Sequence, residues 1–221
     1  MAHEAKPVWD WPTRLSHWLL VGLIGFSWWS AENHHLDWHQ ISGVGVLGLI
    51  VFRLAWGFIG GSTARFRHFV RGPRAVVGYL RGGGAGTEAA IGHNPLGGWS
   101  VLALIATVSA TVGLGLFAVD TDGLESGPLA QYVSFDVGRA AARSHHLAFN
   151  ALLALIALHL AAVAFYALVK RRRLVRAMIT GRMRLPADAE TLRPAPLWRL
   201  AAAAAVAAGV ICIVMNAPPL T

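Results

Sequence analysis

An all-α protein that crosses a membrane several times is what the sequence predicts, and three observations carry that reading. Only 14% of the 221 residues are charged and 55% are hydrophobic, whereas a soluble domain carries about a quarter charged residues. Windows of roughly 17 to 23 mostly apolar residues recur, each long enough to span a hydrocarbon core. The charges are also sorted by loop. Most arginines lie in 61–96 and 170–196, while the connections around 32–37 and 120–136 are acidic, the alternation that sets topology in helical membrane proteins. The net charge of +8 therefore marks membrane topology, and no nucleic-acid partner is expected.

Residues 1–13 read as a short polar lead in which Trp9 and Trp11 suit a membrane interface. The first span runs from about Leu15 to Ala31, with Arg14 and His17 in its first turn and Trp28 and Trp29 at its far end. It lacks an A-x-A-like end, so a retained helix is expected here and not a cleaved leader. The second span, HQISGVGVLGLIVFRLAWGFIG from His39 to Gly60, contains Arg53. The basic loop that follows mixes aromatic and cationic residues and is expected to lie along the headgroups.

The third span, about Trp99 to Val119, has no ionisable residue. Asn94 and Pro95 ahead of it suit an N-cap and a first helical position. The fourth span ends near Val169, before KRRR, and an alanine-rich fifth covers Leu197 to Met215. Five spans with these loop charges place the N-terminus in the cytoplasm and the C-terminus outside. Cys212 is the single cysteine. That excludes an intrachain disulfide, a cysteine-ligated iron–sulfur cluster and the C-x-x-C-H attachment of a c-type haem.

Residues 145–159, HHLAFNALLALIALH, are where chemistry concentrates. On one helix His145 and His159 are separated by roughly 21 Å of rise and about 40° of rotation, so both face nearly the same way at two depths. Ionisable groups inside a span face the protein interior and are functional candidates. By topology His39 shares the outer depth with His145, and His17 the inner depth with His159. The inner match requires the fourth helix to project beyond the bilayer or to tilt, because His159 lies roughly 16 Å of rise from Lys170. His146 points about 140° away from His159. It is read as a non-ligand, as are His3, His34, His35 and His68.

Two imidazoles at one depth can join a zinc site or ligate haem iron axially. Structural zinc takes four ligands, and no acid lies within the spans to complete such a set. Haem needs two axial ligands, an apolar slot and counter-charges for its propionates. Gly43, one turn after His39, removes a side chain where a flat macrocycle would press on the backbone. Arg53, at the same offset from His39 as His159 from His145, faces the inner pair and can neutralise a propionate. Snorkelling to the headgroups is its other reading.

Several stretches then combine: RLSHW around His17, HQISGVGVLGLIVFRLAWG from His39, FVRGPRAVVGYL, GHNPLGG at Gly92–Gly98, and the spacing of His145 and His159. Over about residues 8–183 they resemble the bacterial cytochrome b561 family, including the cytochrome b subunits of nickel–iron hydrogenases. The resemblance implies a four-helix transmembrane bundle that holds two non-covalent b haems on His17, His39, His145 and His159. Residues 1–185 would form that domain, with 186–221 a linker and an extra C-terminal transmembrane helix. It further implies the bacterial inner membrane, quinone as substrate, and a periplasmic c-type cytochrome, dehydrogenase or hydrogenase subunit as partner. His93 becomes a motif residue without an assigned role. The chain departs from many relatives at His146, where they carry Glu.

Iron held by two histidines has no vacant site, so outer-sphere electron transfer is the expected work. An enzyme reading stays open, since the chain is also similar to the superoxide oxidases of the same broad family. A metal or proton path through the histidines and a membrane anchor with dispensable haem sites are the other rivals.

Overall fold

The computed structural model describes residues 3–81, 94–120 and 126–218. His93, Asp122 and Glu125 lie outside the described residues. In chain order the elements are β1 (His3–Pro7), α1 (Trp11–Glu32), α2 (Leu36–Ile59), the short helices α3 (Phe66–Phe69) and α4 (Pro73–Leu80), α5 (Pro95–Leu116), a 3-10 turn at Ala130–Tyr132, α6 (Phe135–Leu168), α7 (Leu174–Thr180), β2 (Arg182–Pro186) and α8 (Leu197–Met215). The chain is mostly helical, in keeping with the expected all-α membrane class.

Among the described residues four helices, α2, α5, α6 and α8, are long and apolar enough to cross a membrane. The expected first span behaves differently. Helix α1 has 22 residues, ample length, but Arg14, His17 and its serines and tryptophans dilute its apolar character. Helix α6 has 34 residues, roughly 51 Å of rise against about 30 Å of hydrocarbon. It is thus long enough to project, as the depth of His159 requires. The start of α5 follows the sequence closely. Pro95 opens it, and the Asn94 side-chain oxygen accepts from the Gly97 backbone N–H at 2.6 Å, closing an N-cap.

Two compact units are present, and each is described by itself. The first comprises Met1–Leu15, Arg53–Ala103 and Leu155–Ala202. Strand β1 pairs antiparallel with β2, from His3 opposite Pro186 to Pro7 opposite Arg182. Beside this ribbon Val8, Trp9 and Ala177 form a buried cluster covered by Met178, Met183 and Leu185. Gly181 ends α7 in the left-handed conformation at φ 76°, and its carbonyl accepts from the N–H groups of Val8 and Trp9 at 2.8 and 3.1 Å. A β-carbon there would stand 2.8 Å from the Trp9 carbonyl oxygen, so the position favours glycine for both backbone and space.

Asp10 is buried at the start of α1. One carboxylate oxygen accepts from the Thr13 N–H at 2.9 Å and the other from the Trp56 indole at 3.0 Å. The Thr63 hydroxyl donates to the Val8 carbonyl at 2.7 Å. Elsewhere in this unit the phenols of Tyr79 and Tyr166 meet at 2.7 Å, and the Asn94 amide donates to both. That cluster ties α4, the start of α5 and the end of α6 together.

The second unit comprises Ser16–Phe52, Leu104–Ala154 and Ala203–Thr221. Gly48 on α2 lies under Ile211 of α8, where an added β-carbon would meet the Ile211 side chain at 2.5 Å. The residues after α5 fold back on its end, with Gly127 and Leu129 donating to the carbonyls of Ala118 and Leu116 at 2.8 Å each. Phe26, Trp29, His35 and Trp38 stack into an aromatic cluster where α1 turns into α2.

Candidate functional site

His39 lies one turn into α2 and His145 ten residues into α6, and both belong to the second unit. Their rings are half-buried, with centroids 5.9 Å apart and planes at 87°. Each ring is held by a backbone carbonyl. His39 Nδ1 donates to the Ser27 carbonyl at 2.9 Å, with the Ser27 hydroxyl 3.1 Å from the same nitrogen. His145 Nδ1 donates to the Thr111 carbonyl at 2.8 Å. A carbonyl oxygen only accepts, so Nδ1 carries the proton and Nε2 keeps its lone pair. Metal-ligating histidines are oriented by this kind of bond.

Around the two rings is a cavity of about 530 Å³, within the roughly 300–1,000 Å³ of cofactor sites. Ile24, Val46, Val108 and Leu152 line one part of it, and Gly43 and Gly115 lie in its wall. A β-carbon at Gly43 would meet nothing within 4 Å, so this stretch of α2 presents bare backbone to the cavity. At Gly115 the same atom would stand 3.0 Å from Cε1 and Nδ1 of His145. That glycine makes room for the His145 ring itself.

These residues fit an axially ligated haem. Metal–imidazole bonds of about 2.0–2.1 Å on both sides of one ion would set the ring centroids roughly 6 Å apart. Among the described residues no group of three or more His, Cys, Asp and Glu forms a metal-ligand cluster. Two imidazoles beside a cavity that is apolar over part of its length match the needs of haem iron better than those of a tetrahedral ion.

The remaining candidates sit as follows. His17 is half-buried on α1, in the second unit, with the Trp18 ring edge-on at 5.0 Å. His159 is half-buried on α6 in the first unit. Arg53, also in the first unit, is 7% exposed; its Nη1 donates to the Ala64 carbonyl at 3.4 Å and its guanidinium lies 5.3 Å from the Phe66 ring centroid. His146 is exposed and lines the cavity of the second unit beside His145, their ring centroids 6.0 Å apart. Sequence reasoning missed Ser27, Thr111 and Gly115. Two act through backbone carbonyls and one through the absence of a side chain. The closely spaced glycines of VGLGL in a span without ionisable residues were the available signal.

Apolar helices of membrane-spanning length, with two imidazoles beside one cavity, are in keeping with a membrane electron carrier of the b type. The family model of the prokaryotic cytochrome b561 matches residues 8–181, and the chain belongs to that family. No curated protein and no solved structure matches it. The protein is accordingly a multi-pass membrane protein embedded in the bilayer that binds b haem.

Proposed function

We propose that this chain is a di-haem electron carrier linking a periplasmic redox partner to the membrane quinone pool. His39 and His145 ligate one haem, and His17 and His159 the other. The observation that carries the reading is the pair of imidazoles 5.9 Å apart with both Nδ1 atoms committed to backbone carbonyls. When bound, haem b supplies a one-electron couple. His39 and His145, with tautomers fixed by backbone carbonyls, would hold the group beside a partly apolar wall and supply two imidazole bases to its iron. Arg53, by its helical offset from His39, serves the second haem as a propionate partner, and Gly43 gives the first haem its bare backbone wall.

Residues 1–185 form the haem-holding domain, and 186–221 add a linker and α8 as a further transmembrane helix. The loop charges set the chain in a bacterial inner membrane with the N-terminus cytoplasmic and the C-terminus periplasmic. The acidic stretch from Asp120 to Asp136 would then face the periplasm and receive a c-type cytochrome or a dehydrogenase or hydrogenase subunit.

Reduced-minus-oxidised spectra with haem quantitation on the wild type, His39→Ala and His159→Ala test the proposal. Two low-spin b haems per chain, falling to about one in each variant, are expected. A wild type that binds a single haem, or either variant keeping both, overturns the pairing.

A further inference from the structure

The cavity of the second unit changes character along its length. From the level of the ligand histidines, α2 and α6 run the same way to Val46 and Leu152, each seven residues on, or roughly 10 Å deeper. In the opposite direction the lining becomes polar: Glu32, Asp120, Ser126, Arg139 and Arg143. Arg139 and Arg143 are one turn apart on α6 and therefore share a face. By helical rise they stand about 9 Å and 3 Å from His145, on the side away from Leu152. Arg139 is anchored there, its Nη1 donating to the Val119 carbonyl at 3.3 Å. The rest of its five-donor fork can serve another acceptor.

A haem carries both carboxylates on one edge and only hydrocarbon on the opposite one. Of the two ways to seat it between His39 and His145, one presses the carboxylates on Val46 and Leu152, where the described lining is apolar. The other brings them to the arginines. Buried carboxylates demand charged or hydrogen-bonding partners, and a guanidinium meets a carboxylate bidentately. Glu32 and Asp120 line the same end and repel a propionate, so both guanidiniums are needed there to favour one. We propose that Arg139 and Arg143 bind the propionates of the His39/His145 haem and raise its midpoint potential. The sign follows from charge: the oxidised haem carries one more positive charge than the reduced form, so adjacent cations disfavour it. The inference rests on the haem-carrier reading above and adds an orientation and two binding residues to it.

Potentiometric titration of the purified full chain, followed optically, tests it on Arg139→Gln, Arg143→Gln and the double variant, with haem content and the low-spin spectrum measured alongside. The double variant is expected to lower the midpoint of one haem and leave the other in place, with an unchanged low-spin spectrum. Each single variant should give part of the shift, which decides the matter if the double variant does not accumulate. Unchanged midpoints at full haem content overturn the propionate assignment while leaving the ligand pairing intact. A wild type without haem defeats the underlying reading instead, so the two failures are distinguishable.

Discussion

The Thr111 carbonyl accepts the His145 Nδ1 proton at 2.8 Å, although Thr111 stands on the span without an ionisable side chain. Helix α5 therefore fixes the imidazole's tautomer with its backbone and admits the ring with Gly115. A helix that reads as filler in sequence acts as the outer shell of the site.

Gly115 gives the sharpest test of that role. A β-carbon at this position stands 3.0 Å from two atoms of the His145 ring, while one at Gly113 meets nothing within 4 Å. Gly115→Val should turn the imidazole, break its bond to Thr111 and weaken haem binding at that site by roughly 10–100-fold, the usual scale for lost outer-shell support. Haem retention during transfer to an apo-acceptor measures it. Gly113→Ala should behave as wild type, and equal losses in both variants would sink the argument.

Asp10 caps α1 and accepts from Trp56 with its second oxygen. Asp10→Ala removes both acceptors and should destabilise the first unit by about 2.5–4 kcal/mol, a lost cap plus a lost buried bond to a charged group. Asp10→Asn, which keeps an oxygen for the cap, should lose less. Hydrogen exchange over residues 8–15 is the readout. Faster exchange is expected for the alanine variant, and unchanged protection would refute the role.

Asn94 joins a cap to a cluster, since its side-chain oxygen holds the start of α5 and its amide reaches both Tyr79 and Tyr166. Asn94→Ala should cost about 1 kcal/mol through the cap and loosen α4. Limited proteolysis of the segment 66–95 should accelerate while the spectrum of the His39/His145 haem stays as it was. A spectral change without faster cleavage would show that Asn94 acts elsewhere.

Much of this architecture was legible in the residues. Apolar length and loop charge announced α2, α5, α6 and α8, and Asn94–Pro95 announced the start of α5 to the residue. That the rings of His39 and His145 lie near each other, 5.9 Å apart, was expected from depth, because helical rise converts sequence offset into position. What escaped notice depends on partners far away in the chain. Strand β1, HEAKP, has little strand propensity and pairs with residues beyond α7, so no local pattern marks it. The Ser27 and Thr111 carbonyls carry no side-chain signature at all. Arg53 looked like a propionate partner by phase, yet the fold also gives it the Ala64 carbonyl and the Phe66 ring, contacts that phase does not predict.

The β1–β2 ribbon dictates an order of events during synthesis. Between Pro7 and its partner Arg182 the ribosome must add roughly 175 residues, about 10–35 s of elongation at 5–20 residues per second. Throughout that interval the strand at 3–7 waits unpaired beside the membrane while every helix through α7 is laid down. The earliest stretch of this ribbon to leave the ribosome is thus among the last to find its place, and the buried cluster of Val8, Trp9 and Ala177 closes only when the chain returns to it.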